Sequence, residues 1–116
     1  MALYAIVLES ILKKRQKAQL RYQEKSSAAG RIREIKVWKI SDLVRYPDGV
    51  RYRLVLVNAE DGFVHLLYDN HWPKGHHVHT MGVEQAYKFE SVDALLDEFE
   101  KRSKEIERKL NEDKKD

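Results

Sequence analysis

Tyr52-Arg53-Leu54-Val55-Leu56-Val57 and Phe63-Val64-His65-Leu66-Leu67-Tyr68, joined through Glu60-Asp61-Gly62, decide how this chain is read. Both runs are rich in β-formers, and an Asp-Gly between two apolar runs marks a hairpin. Upstream, Pro47-Asp48-Gly49 gives a turn ahead of the first run. Ala18 to Glu24 alternates with period two, Ala18, Leu20 and Tyr22 on one side and Gln19, Arg21 and Gln23 on the other, which predicts a strand. Ser26-Ser27-Ala28-Ala29-Gly30 has turn chemistry. Arg31 to Ile40 reads as a further strand, with a bulge near Glu34 needed to bring its apolar residues into line, and Trp38 is expected in the core.

Helices flank these strands. Leu3, Ile6, Val7, Ser10 and Ile11 share one face at helical spacing, predicting a helix over 3–14 with Lys13 to Lys17 gathered toward its C-terminal end. Ser91 reads as the N-cap of a long helix over 91–110, whose apolar stripe is Val92, Leu95, Leu96, Phe99, Ser103, Ile106 and Leu110. The tail 111–116 is expected to fray. Hairpin-linked strands without crossover helices predict an α+β fold. The expectation is a single domain over 1–110, with an antiparallel sheet of four or more strands between about 18 and 68 and both helices packed on it. The 116 residues, 42% of them hydrophobic, suit one modest core.

Cysteine is absent, which rules out a disulfide framework and thiolate zinc sites and fits a reducing cytoplasm. The opening Ala2 to Leu8 meets Glu9 too soon for a signal peptide or a membrane span, so a soluble cytoplasmic protein with no membrane partner is expected. A net charge of +3 conceals a polarity: residues 1–57 carry 13 Lys and Arg against 5 Asp and Glu, and residues 58–116 carry 9 against 14. The basic half suits phosphate binding, and equally the solvated faces of strands and a helix.

The chemistry concentrates in Tyr68-Asp69-Asn70-His71-Trp72-Pro73-Lys74-Gly75-His76-His77-Val78-His79, within a loop read over 69–86 and placed at a sheet end beside the final helix. A turn needs only the Asp-Asn, Pro and Gly, so four histidines, a phenol and a lysine call for another explanation. One explanation is phosphodiester cleavage in RNA, with histidines as base and acid and Lys74 or a strand arginine stabilising the phosphate. Catalytic candidates are His77, His79, Lys74, Tyr68 and Asp69, with Tyr87 a further possible proton donor. Substrate-contact candidates are Asn70, Trp72, His71, His76 and Arg53, Trp72 offering either a stacking face for a base or a plug over the sheet end. His77 and His79 project to one side and could hold zinc, nickel or copper, but the spacing matches no strong metal signature, so no cofactor is expected. Taken one at a time, the same side chains could simply satisfy carbonyls and fill the loop.

The order Glu34-Ile35-Lys36-Val37-Trp38, Tyr52-Arg53-Leu54, Tyr68-Asp69-Asn70, Lys74-Gly75-His76-His77-Val78-His79, Tyr87-Lys88-Phe89 and a Leu-rich helix reaching Phe99 resembles the TumE family of toxin-antitoxin toxins over roughly residues 18–105. That resemblance implies a small cytoplasmic toxin, neutralised by a helix-turn-helix antitoxin through which alone it would reach operator DNA. It carries over Tyr68, Asp69, Asn70, Lys74, Gly75, His77 and His79 as motif positions. His76 stands where the family commonly has an acidic residue, and Val78 where it commonly has a basic one. Three functions follow as expectations: a metal-independent endoribonuclease acting on RNA, a non-catalytic binder that blocks a cellular target, or a metal-binding protein. Self-association is compatible with each.

Overall fold

The computed structural model describes residues 18–113. Its strands are β1 (Ala18–Ala28), β2 (Arg31–Ile40), β3 (Val50–Asn58), β4 (Val64–Asp69), β5 (His77–Thr80) and β6 (Val83–Ala86), followed by one helix, α1 (Val92–Asp113). Every strand pairs antiparallel with the next, so the sheet is a six-stranded meander in chain order. The fold is α+β, as the hairpin pattern requires. The helix expected over 3–14 lies outside the described residues. Among the described residues, no helix is long and apolar enough to cross a membrane.

The period-two pattern sorts residues onto two faces. One row, Ile35, Leu54, Tyr68 and Val78, crosses four strands in register and is buried under α1, together with Val37, Tyr52, Leu56 and Leu66. Leu95 and Phe99 of α1 complete this core, both with no exposed surface. Polar ties fix the helix along the face: Arg33 pairs with Glu100, Glu98 accepts from the Tyr68 hydroxyl at 2.5 Å, and Arg102 donates to Tyr68 at 2.9 Å and to Thr80 at 2.5 Å. Ser91 Oγ accepts the Ala94 N–H at 3.0 Å, satisfying one of the helix's free donors. The opposite face carries Lys36, Arg53, Asp69 and His77 in one register row, and Glu34, Val55, Leu67, His79 and Glu84 in the next.

Several boundaries differ from the sequence reading. Ser26, Ser27 and Ala28 stay paired with β2, and the turn is only Ala29-Gly30, both at positive φ (53° and 76°), a two-residue geometry that follows strand twist. No bulge falls at Glu34, which pairs in regular register with Lys25 and Val55. The irregularity is in β1 between Leu20 and Tyr22, because β2 is apolar on both faces and needs no realignment. Trp38 is on the face away from α1, half-buried beneath the Arg51 guanidinium 5.1 Å from its ring centroid, and not in the core. The helix runs past 110 to Asp113, held where Arg31 donates to the Asn111 side chain. The region read as a loop over 69–86 contains β5 and β6. Their two-residue turn at Met81 (φ 48°) and Gly82 (φ 86°) makes a hairpin of a segment too short to announce itself by periodicity.

His65 is the extra residue where β4 slips against β3, since Val57 pairs with Val64 and Leu56 with Leu66. It is buried, and neither ring nitrogen has a partner among the described residues. Burial first, and the Arg31 charge second, push its pKa below the ordinary value. Above a pH of about 6.5 both folded and unfolded chains keep His65 neutral, so it contributes no pH dependence there. As pH falls below that, the unfolded chain takes up a proton that the folded one resists, and stability declines. His65→Leu is expected to flatten this acidic decline and to raise stability at neutral pH by about 1 kcal/mol, read from denaturant midpoints across pH.

Candidate functional site

The site is built by the β4–β5 connection and the β5–β6 hairpin. Gly75 takes φ 75°, a conformation costly for side-chain-bearing residues, and turns its carbonyl toward the ring of His77. The His77 Nδ1–H donates to that carbonyl at 2.8 Å, so in the neutral ring the lone pair is on Nε2. Two residues on, His79 projects to the same side, the ring centroids 5.1 Å apart and nearly perpendicular. Directly across the hairpin Glu84 pairs with His79, its carboxylate 3.6 Å from His79 Nε2 and 2.5 Å from Lys74 Nζ. The hydrogen bond from Lys74, then its charge, hold the Glu84 carboxyl below the usual carboxylate range.

Asp69 is the direct cross-strand partner of His77, and Arg53, exposed on β3, is that of Asp69. Asp69 Oδ1 also accepts the His71 N–H at 2.8 Å. Five candidates, His77, His79, Lys74, Asp69 and Arg53, therefore gather on the sheet face away from α1. That face, not a position beside the final helix, is where the histidines stand, because Val78 between them faces the core.

The remaining candidates are elsewhere. Tyr68 is fully buried on the helix side, where burial and Glu98 raise its phenol pKa well above the ordinary value, and Tyr87 packs edge-on against it at 5.1 Å. Asn70 is a buried clamp: Oδ1 accepts the Tyr52 N–H at 2.8 Å and Nδ2 donates to the Val50 carbonyl at 2.9 Å. Asn70→Ala is expected to cost about 2 kcal/mol in unfolding free energy, since a backbone donor and acceptor lose their partners. His76 is also on the helix side, its Nδ1 2.7 Å from the Tyr52 hydroxyl and its Nε2 2.8 Å from Asp48, with its ring stacked on Phe89 at 4.8 Å. Both its nitrogens are engaged, which suits a brace more than proton transfer.

His71 and Trp72 meet the connection between β2 and β3. The Trp72 N–H donates to the Tyr46 hydroxyl at 3.1 Å, and the Arg45 guanidinium stands 4.7 Å from the Trp72 ring centroid. With Tyr46 and Arg51 they line a hollow of about 250 Å³ on the side of the sheet that carries the histidines. Glu84 was not visible as a site residue in the sequence. The available signal was Met81-Gly82, which folds Val83-Glu84 back onto His77-Val78-His79.

An antiparallel α+β domain thus carries two imidazoles, two carboxylates and two cations on the sheet face away from α1. More specifically, the model of the family described as Toxin TumE matches residues 5–110, and the chain belongs to that toxin family. No curated protein and no solved structure matches the chain. A toxin of this family acts within a toxin-antitoxin system and so has an antitoxin partner.

Proposed function

We propose that this toxin cleaves RNA as a metal-independent endoribonuclease. The observation that carries the reading is the unequal setting of two adjacent imidazoles: the His77 Nδ1–H is held by the Gly75 carbonyl at 2.8 Å, which leaves proton uptake to Nε2, while His79 Nε2 stands 3.6 Å from the Glu84 carboxylate. The first setting suits a general base and the second a general acid. His77 Nε2 removes the 2′-hydroxyl proton as that oxygen attacks the adjacent phosphorus. His79 gives a proton to the departing 5′-oxygen, leaving a 2′,3′-cyclic phosphate and a 5′-hydroxyl. Lys74, shared with Glu84, and Arg53 offset the charge on the phosphate, and the Gly75 carbonyl orients His77.

RNA binding is supported by the rest of that face. Lys36, Arg51 and Arg53 stand beside the site, and the hollow under Trp72 and Arg45 is suited to a stacked base. The antitoxin is proposed to be a helix-turn-helix protein that covers this face or loosens α1. Hydrogen exchange in the saturated complex should then show added protection at residues 69–79 or altered protection at 91–110, and no change in either segment counts against it.

The test is incubation of the purified toxin with total RNA. Discrete fragments with cyclic phosphate ends are expected. Activity is also expected to survive exhaustive chelation, since imidazoles, Lys74 and Arg53 supply acid, base and cation. Loss of cleavage with EDTA and its recovery with one added metal would overturn the metal-independent mechanism.

A further inference from the structure

The same hairpin has a second property that proton transfer does not require. One donor atom each from His77, His79 and Glu84 lies within 4.8 Å of the others. The Nδ1–H of His77 is tied to a backbone carbonyl, the outer hydrogen bond by which metal-binding imidazoles are usually oriented. His79 and Glu84 are partly or well exposed and their side chains can rotate inward, so donors at this separation can close to the ~2 Å bond lengths of a zinc site. The carboxylate already holds a cation, the Lys74 ammonium at 2.5 Å.

We infer that His77, His79 and Glu84 form a reversible binding site for Zn²⁺, three protein ligands with water in the fourth position, in which the ion displaces Lys74 from Glu84. Two imidazoles and one carboxylate are a donor set that borderline-soft zinc accepts and that Ca²⁺ or Mg²⁺, which prefer oxygen, does not. Occupancy commits the lone pairs of both histidines to the metal, so zinc is an inhibitor of the proposed cleavage and not its cofactor. Binding does not depend on the ribonuclease reading, whereas the inhibition rests on it.

The experiment titrates metal-stripped full-length toxin with Zn²⁺ in competition with a chromophoric chelator, and with Co²⁺ for its tetrahedral absorption bands. One ion per chain is expected. Affinity should fall at least tenfold in His77→Ala, His79→Ala and Glu84→Gln, each checked for folding by circular dichroism, and stay unchanged in His71→Ala. Lys74→Met should bind several-fold more tightly, because no ammonium competes for the carboxylate; a merely adventitious histidine contact would not respond to that change. Absence of 1:1 binding, or equal affinity in wild type and His77→Ala, overturns the site. Zinc binding with this ligand pattern alongside inert RNA would sink the ribonuclease reading and leave the site standing, whereas cleavage unaffected by zinc in a protein that binds none would do the reverse.

Discussion

His77→Ala and His79→Ala are each expected to abolish growth arrest when expressed without antitoxin, and to slow RNA cleavage by about 10²- to 10⁴-fold, the usual contribution of a positioned acid or base. Both side chains point away from the core, so the variants should keep the wild-type circular dichroism spectrum, and His79→Ala should unfold at nearly the wild-type denaturant concentration. His77 carries the larger structural risk, because it is 7% exposed and its Nδ1–H holds the Gly75 carbonyl. His77→Gln, which retains a donor of similar reach, separates folding from chemistry. His76→Ala is the informative contrast. It removes the bridge between Tyr52 and Asp48, so it should lower stability while leaving most of the cleavage rate. Equal growth arrest from folded His77 and His79 variants would remove proton transfer from this face and favour a toxin that acts by occupying its target.

Phe99→Ala is expected to cost about 3 to 5 kcal/mol, comparable with the whole stability of a small domain. Phe99 has no exposed surface, meets Tyr68 edge-on at a centroid distance of 6.1 Å, and lies under the Arg33 guanidinium at 5.0 Å. Its loss leaves a cavity where α1 crosses the sheet and loosens the Tyr68–Glu98–Arg102 ties along the same line. The helix has only one apolar stripe, so its order depends on this contact. Chemical denaturation should show the loss directly. A cost below about 1 kcal/mol would mean that α1 is held chiefly by its polar ties.

Much of this architecture is legible because its signals are local. Alternation in β1, the β-formers of β3, Asp-Gly and Pro-Asp-Gly turns, and the Ser91 cap each depend on neighbours a few residues away. The candidate site was less legible. Tyr68, Asp69, Asn70, His76 and His77 are adjacent in sequence, but a strand sends alternate side chains to opposite faces, so adjacency does not tell which of them act together. Tyr68 and His76 go to the helix side, Asp69 and His77 to the face away from α1, and Asn70 into the backbone of β3.

The sequence by itself determined the α+β class, the hairpin and helix signals and the motif order of a TumE toxin, because periodicity, turn chemistry and residue order need no knowledge of distant contacts. Only the tertiary structure decided that β5 and β6 replace a loop, that α1 covers the face opposite His77 and His79, and that Glu84 joins His77, His79 and Lys74. Those outcomes depend on register and on which face the helix buries, and a shift of one residue in the pairing would have sent every one of these side chains to the other side.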